Sequence, residues 1–186
     1  MLGSPRQLRY ADHGGPLFDT GRLAGVLRLA ADRAGWAKPL PPGRGRGIAA
    51  HFTFGSYVAH VAEVSVDAAG RPRVHRIVAA VDCGRVVNPS GAEAQVQGGV
   101  MDGLGAALFG QITVEQGRVQ QSNFSDYRLL RMRDTPSIEV HFVRSAEPPS
   151  GLGEPPVSPV APAVANAIFS LTGKRIRRLP LVASGS

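Results

Sequence analysis

Val58-Ala59-His60-Val61-Ala62-Glu63-Val64-Ser65-Val66-Asp67, the breaker Ala68-Ala69-Gly70-Arg71-Pro72, and the return from Arg73 through Val74-His75-Arg76-Ile77-Val78-Ala79-Ala80-Val81 to Asp82 decide the fold. In the first run Val58, Ala62, Val64 and Val66 fall on one face and Val61, Glu63 and Ser65 on the other, the two-residue alternation of a β-strand. In the second, Ile77, Ala79 and Val81 alternate against His75, Arg76 and Val78, and the Gly/Pro turn between the runs closes a hairpin. Both faces are apolar enough to need cover, so the pattern predicts helices packed against this sheet.

Upstream, Leu23, Val26, Leu27, Ala30, Ala31 and Ala34 recur at helical spacing. Thr20 is the predicted N-cap and Gly35 the C-terminal glycine cap, with Trp36 expected to anchor that end. Residues 1–19 read as irregular, with Gly14-Gly15-Pro16 as a turn signal, and the Pro/Gly/Arg-rich residues 38–47 read as a connecting loop ahead of an extended segment over 48–57.

Downstream, Asn88-Pro89 is a cap followed by proline and opens a helix predicted over residues 89–109. Val96, Val100, Leu104 and Leu108 form its apolar side, and Gly91, Gln95, Gly98, Gly99, Asp102 and Gly105 a small, polar one. Interior glycine costs up to about 1 kcal/mol each relative to alanine, so something must offset that face. Close packing on the sheet and a bound cofactor are the two ways to do so.

Glu115-Gln116-Gly117-Arg118 marks a short hairpin, and Ile138, Val140 and Phe142 alternating with Glu139 and His141 mark a half-buried strand. The sum is an α+β fold: a mainly antiparallel sheet, with helices from Thr20, Pro89 and Pro159 expected to cover one side. We expect a single lobe over 1–186, with an N-terminal helix and linker (1–47), a sheet-and-helix core (48–181) and a tail (182–186).

At 186 residues, 43% hydrophobic and 19% charged, the chain can bury a core and is not of disordered composition. Its net charge of +7 raises the question of nucleic acid. Only Lys174-Arg175-Ile176-Arg177-Arg178 concentrates that charge, without interleaved aromatics. A solvated helix end is favoured, and no nucleic-acid partner is expected. The single Cys83 excludes an internal disulfide or a cysteine metal cluster supplied by this chain alone, and is expected as a small buried residue. The five histidines lack ligand spacing, so no metal ligand from the protein is expected. Apolar runs fall short of the ~20 residues of a membrane span, and Met1-Leu2-Gly3-Ser4-Pro5 lacks a signal-peptide pattern, so a soluble chain is expected.

The other informative stretch is Ser150-Gly151-Leu152-Gly153-Glu154-Pro155-Pro156, leading to a helix that can begin only near Pro159. Glycines flank the carboxylate and prolines stiffen the connection beyond it, which leaves Glu154 on a rigid mount at a helix entrance. By residue type alone, such a carboxylate can simply complement the helix dipole. The whole string, however, resembles the C-terminal Gly-Glu-Pro motif of the molybdenum hydroxylases, the xanthine oxidase and aldehyde oxidase superfamily. Val81-Asp82-Cys83-Gly84, Val87-Asn88-Pro89, Ala94-Gln95-Val96-Gln97-Gly98-Gly99 and Gly103-Leu104-Gly105 are similar to the strand, turn and helix lying over molybdopterin there. Asn123-Phe124-Ser125-Asp126-Tyr127 resembles the branch containing isoquinoline 1-oxidoreductase β subunits and bacterial aldehyde dehydrogenases. Read without that likeness, Phe124 and Tyr127 are expected in the core.

The resemblance implies a molybdopterin-binding lobe of aldehyde oxidase type. Glu154 would be the catalytic base, and Gln95, Gln97, Gly98, Gly99 and Gly153 the cofactor-binding positions. It implies hydroxylation of an aldehyde or N-heterocycle with oxygen from water. The molybdenum would be carried by molybdopterin, in bacterial members of the branch usually as the cytosine dinucleotide, and the iron–sulfur clusters would sit in a partner small subunit. One departure is Asp102, which stands where many members have Gln. The likeness covers about 20–181 but only the last part of a longer large subunit, so the cofactor would be shared with the remainder of that subunit and the chain alone inactive. Bacterial cytoplasm or periplasm is then the expected compartment. The alternative is a non-catalytic fragment or interaction module of the same family, including a homo-oligomer.

Overall fold

The computed structural model describes residues 3–9 and 15–182. In chain order the elements are β1 (Gln7–Leu8), β2 (Phe18–Asp19), α1 (Thr20–Arg33), β3 (Arg44–Thr53), β4 (Ser56–Val66), β5 (Pro72–Asp82), α2 (Pro89–Leu108), β6 (Val114–Glu115), β7 (Arg118–Val119), β8 (Ser137–Phe142) and α3 (Val160–Thr172). The main sheet has the order β3-β4-β5-β8. The β3-β4 and β4-β5 pairs are antiparallel and β5-β8 is parallel. The hairpin read from alternation is thus the centre of the sheet, and the fold is α+β as expected. Residues 1–19 are not wholly irregular, since β1 and β2 pair antiparallel. His13, Gly14 and the tail residues 183–186 lie outside the described residues.

The helices do not share one side. Val26, Ala30 and Ala34 of α1 pack with Phe52, Tyr57, Ala59, Val61, Val78 and Ala80. Residues of α2 and α3 pack with Val58, Ala62, Val64, Ile77, Ala79 and Val81. Alternate residues of β4 and β5 therefore enter two separate cores, which is why both faces of the hairpin had to be apolar.

The loop expected over residues 38–47 ends earlier than its composition suggests, because Arg44 to Gly47 already belong to β3, an edge strand. Its glycines seat α3. A Cβ on Gly47 would lie 2.2 Å from the Ala167 backbone nitrogen and 2.3 Å from the Ala163 carbonyl oxygen, and one on Gly45 would lie 2.5 Å from Leu171 Cγ. The contact is sealed by Asn166 Nδ2 donating to the Ile48 carbonyl at 3.0 Å.

At the start of α1 the cap is Asp19 rather than Thr20. Its carboxylate accepts from the N–H groups of Gly21 at 2.7 Å and Arg22 at 3.1 Å, satisfying orphan donors of the first turn. Gly35 ends the helix as expected, at φ +63°, with Trp36 N–H reaching the Ala31 carbonyl. Trp36 does not anchor the end, for it is 45% exposed. Arg46 does so instead, donating to the carbonyls of Gly35 at 2.9 Å and Trp36 at 3.1 Å. Among the described residues no helix is long and apolar enough to cross a membrane.

Candidate active site and cofactor surface

Asn88 caps α2 by accepting the Gly91 N–H at 3.1 Å, and Val96, Val100, Leu104 and Leu108 are buried as the spacing predicted. The small side of α2 is divided: Gln95, Gly98 and Asp102 face solvent, whereas Gly99 and the neighbouring Gly103 are buried. A Cβ on Gly99 would lie 2.7 Å from the Gly153 carbonyl oxygen and 3.1 Å from Pro156 Cβ, and one on Gly103 would lie 2.7 Å from the Val157 carbonyl oxygen. The glycines thus form a notch that receives the turn bearing Glu154. That close approach offsets the helix cost of Gly99 and Gly103.

The Glu154 turn is held on both sides. Before it, the Ser150 N–H donates to the Cys83 carbonyl at 3.0 Å and the Gly151 N–H to the Phe54 carbonyl at 3.1 Å. The hydroxyls of Ser56 and Ser150 are 2.7 Å apart, and Ser56 Oγ also donates to the Gly151 carbonyl. After it, Pro155 and Pro156 are buried and the Val157 N–H donates to the Glu154 carbonyl at 2.9 Å. The α3 helix then begins at Val160, with Pro159 at the cap position, as read from the sequence, and Pro162 in the first turn. The Glu154 residue itself is exposed.

Of the residues expected at the site, Gly153, Gly99 and Gln95 come together beside Glu154. A Cβ on Gly153 would stand 3.2 Å from Gln95 Oε1. Gly98 follows on the open flank, exposed and with nothing within 4 Å of where a Cβ would stand. At about 100° per residue, Gln97 falls on the opposite rim of the helix from Gln95, and it is bonded to Glu93 Oε1 at 3.2 Å. A cleft of about 220 Å³ opens next to Gln95, lined by Cys83, Arg85, Asn88, Ser150 and Leu152 among others. Asp102 lies further along, in a separate cleft of about 350 Å³ with Tyr127 and Leu130.

Electrostatics stiffen the floor of this region. Asp82, at the end of β5, takes a bidentate pair from Arg22 at 2.8 and 2.7 Å and also accepts the Gly84 N–H at 3.3 Å. The guanidinium is held firmly charged by that bond. Cys83 is buried, as expected, and burial pushes its thiol up from the ordinary range. Arg175, within the basic run, turns back onto α3, bonded to Asn166 Oδ1 at 2.9 Å and stacked on Phe169.

The expectation of core packing fails at Phe124, which is 82% exposed. It lines an open cleft of about 550 Å³ with Ile112, Gln121, Ser122, Asn123 and Tyr127. Asp126 gathers its loop instead, accepting from the N–H groups of Ser122 and Asn123, and these bonds depress its pKa. Ser56 was not singled out in the sequence. Its only signal is a small polar residue opening an otherwise apolar buried strand, and it is 0% exposed.

Comparison with known proteins bears on this arrangement. Residues 27–136 match a family model described as a molybdopterin cofactor-binding domain. The chain is 36% identical over 168 residues to a membrane-bound aldehyde dehydrogenase (pyrroloquinoline-quinone) of Gluconacetobacter polyoxogenes, covering 86% of this chain and 22% of that protein. It is 36% identical over 165 residues to isoquinoline 1-oxidoreductase subunit beta of Brevundimonas diminuta, covering 86% and 21%. The solved aldehyde oxidoreductase of Desulfovibrio gigas aligns with a TM-score of 0.61 at 29% identity, over 68% of this chain and 14% of that one. The chain therefore spans about a fifth of the length of the two curated relatives.

Proposed function

The chain belongs to the molybdopterin cofactor-binding domain family of the molybdenum hydroxylases, and from that premise we propose that it is the C-terminal cofactor-binding lobe of a molybdenum-dependent oxidoreductase, with Glu154 as its base. The substrate class we propose is an aldehyde or N-heterocycle, hydroxylated with oxygen from water. The observation that carries the reading is the seating of the Glu154 turn in the glycine notch of α2, beside Gln95.

The residues present suit a large polar group laid along that edge. The N–H groups of Leu152, Gly153 and Glu154 donate to no acceptor among the described residues. With the Gln95 carboxamide and the open flank at Gly98, they offer donors and room for close backbone approach. We assign Gln95, Gly98 and Gly153 to cofactor contact, with Gly99 acting through its fit to Gly153. We also assign Gln97, on the far rim of α2, to cofactor contact. When bound, molybdenum supplies the activated oxygen and the electron acceptor. Glu154 would accept the proton released at that oxygen, from a carboxylate whose backbone is fixed by the bonded turn. The pterin is proposed in its cytosine dinucleotide form, shared with the remainder of the large subunit, and the iron–sulfur clusters are placed in a partner small subunit.

The test is the holoenzyme purified from its native host with its partners. Stoichiometric molybdenum and pterin, with oxidation of an aldehyde or N-heterocycle lowered about 10²–10⁴-fold by Glu154→Gln, is the expected result. Full activity in Glu154→Gln would sink the base assignment. Quinone in place of metal and pterin would instead extend to this chain what the name of the Gluconacetobacter relative says. A second reading, an interaction module, draws on the exposed Ile112, Val114, Val119, Phe124, Leu129 and Met132. It predicts self-association of the chain in sedimentation, with neither metal nor partner bound.

A further inference from the structure

Ser56 opens β4, is fully buried, and has a hydroxyl with no role in the sheet ladder. Buried hydroxyls are retained only where bonded, since an unpaired one costs about 1–3 kcal/mol. Both of its bonds go to the segment that leads to Glu154. With the Ser56 proton given to the Gly151 carbonyl, the Ser150 hydroxyl must be the donor in the 2.7 Å bond between the two serines. The neighbouring Phe54 carbonyl takes the Gly151 N–H at 3.1 Å, so both polar groups of the Gly151 backbone are tied to the β3-β4 turn. A second turn grips the same segment, through Cys83 carbonyl to Ser150 and Arg85 N–H to the Glu147 carbonyl at 2.9 Å. The fit leaves no slack: a Cβ on Gly151 would lie 2.6 Å from Phe54 Cβ, and one on Gly84 would lie 2.0 Å from the Pro148 carbonyl oxygen.

Between Gly151 and Glu154 stand only Leu152, which packs on the α2/α3 core, and Gly153, seated on Gly99. We propose that Ser56 is a positioning residue for Glu154, fixing the upstream end of its turn from the start of the central strand β4. This rests on Glu154 being the base. Losing the hydroxyl frees the Gly151 carbonyl and lets the turn pivot, so the carboxylate spends less time in reach of its proton. A small misplacement of this kind lowers turnover without altering what the site binds.

The experiment uses the complete holoenzyme and four proteins: wild type, Ser56→Ala, Glu154→Gln and the double variant. Ser56→Ala is expected to lower kcat about tenfold or more, with KM within about twofold and metal and pterin content unchanged. In the Glu154→Gln background it is expected to cost nothing further, because the two residues act as one unit. Hydrogen exchange at the bonded amides of Ser150 and Gly151 should quicken about tenfold or more while β4 and β5 stay protected. Equal losses in both backgrounds, or faster exchange across the whole sheet, would mean a structural residue only and overturn the proposal. Unchanged kcat and exchange in Ser56→Ala, with Glu154→Gln still crippled, would overturn it and leave the base reading standing. A fully active Glu154→Gln would remove both. If Ser56→Ala does not fold, the part-exposed Ser150→Ala takes its place, with the same non-additivity and local exchange expected at smaller amplitude.

Discussion

The two faces of the sheet are built by different chemistry. On the α1 face, cohesion comes from large rings and charges. Phe18, Phe52 and Tyr57 cluster with centroids 4.6–6.1 Å apart, Arg22 lies over Tyr57 while gripping Asp82, and Glu63 draws in both Arg46 and Arg76. On the other face, α2 and α3 are held by valine, alanine and glycine, with backbone nearly touching backbone at Gly47 and Gly99. The candidate site sits on this second face. Small residues let a helix, a turn and an approaching group share one narrow space, whereas bulky side chains would hold the backbones apart. The first face tolerates adjustment at its edges. The second does not, because backbone atoms have nowhere to go.

The largest test of this contrast is Gly47→Ala. Its added methyl would collide with the backbone of α3 on two sides, so it is expected to destabilise by about 3 kcal/mol or more, lowering Tm by roughly 6–12 °C. The same change at Gly98, on α2 but facing open space, should raise stability by up to about 1 kcal/mol through helix propensity. Thermal unfolding of the two variants side by side checks the sign as well as the size. If Gly47→Ala is neutral, the tight seating of α3 on β3 is wrong.

The charged face gives the next effect. Glu63 is 6% exposed and bonded to Arg46 at 3.1 Å and Arg76 at 3.2 Å. Glu63→Ala strands those guanidiniums in a nearly closed setting and should cost about 3 kcal/mol in urea unfolding. The loss is tempered because Arg76 keeps Glu139, at 2.6 Å. Removing Glu63 should also loosen the α1 terminus, since Arg46 and Arg76 donate to carbonyls at that end.

What could be read in advance divides in the same way. Strand alternation in β4 and β5, the Asn88-Pro89 entrance and the Gly35 cap were legible because each is local: the periodicity or the cap lies within a few residues. The start of β3, Arg44 to Gly47, was hidden because Gly45 and Gly47 look like loop residues until α3, more than a hundred residues later, is laid on them. The Glu154 turn was legible as a rigid mount from its glycines and prolines, but its receptor was not. Whether the glycines of α2 serve the sheet, a cofactor or another turn is decided by tertiary contact: Gly99 meets the Glu154 turn, while Gly98 faces open space. Phe124 was misplaced because ring size argues for burial, while the neighbouring polar Ser122, Asn123 and Asp126 close a loop that leaves it outside.

A pH-dependent effect concerns a polar group within β4. His60 is fully buried, and neither ring nitrogen finds a partner among the described residues. By the alternation of β4 its side chain shares the face of Val58 and Ala62, against α2 and α3. Burial alone pushes its pKa down to about 3, from 6.5 in an exposed histidine. The unfolded chain therefore binds a proton between those values that the folded chain refuses, and stability must fall as pH drops through that interval. The contribution is fully present above pH about 6.5 and is lost on acidification, amounting to about 2 kcal/mol between pH 7.5 and 5. His60→Leu removes the titration while keeping an apolar group of similar size, so wild type and variant should diverge by that amount over the same interval. Parallel curves from urea unfolding at the two pH values would mean that His60 is protonated in the fold, and that the close-packed face admits a charge its small residues otherwise exclude.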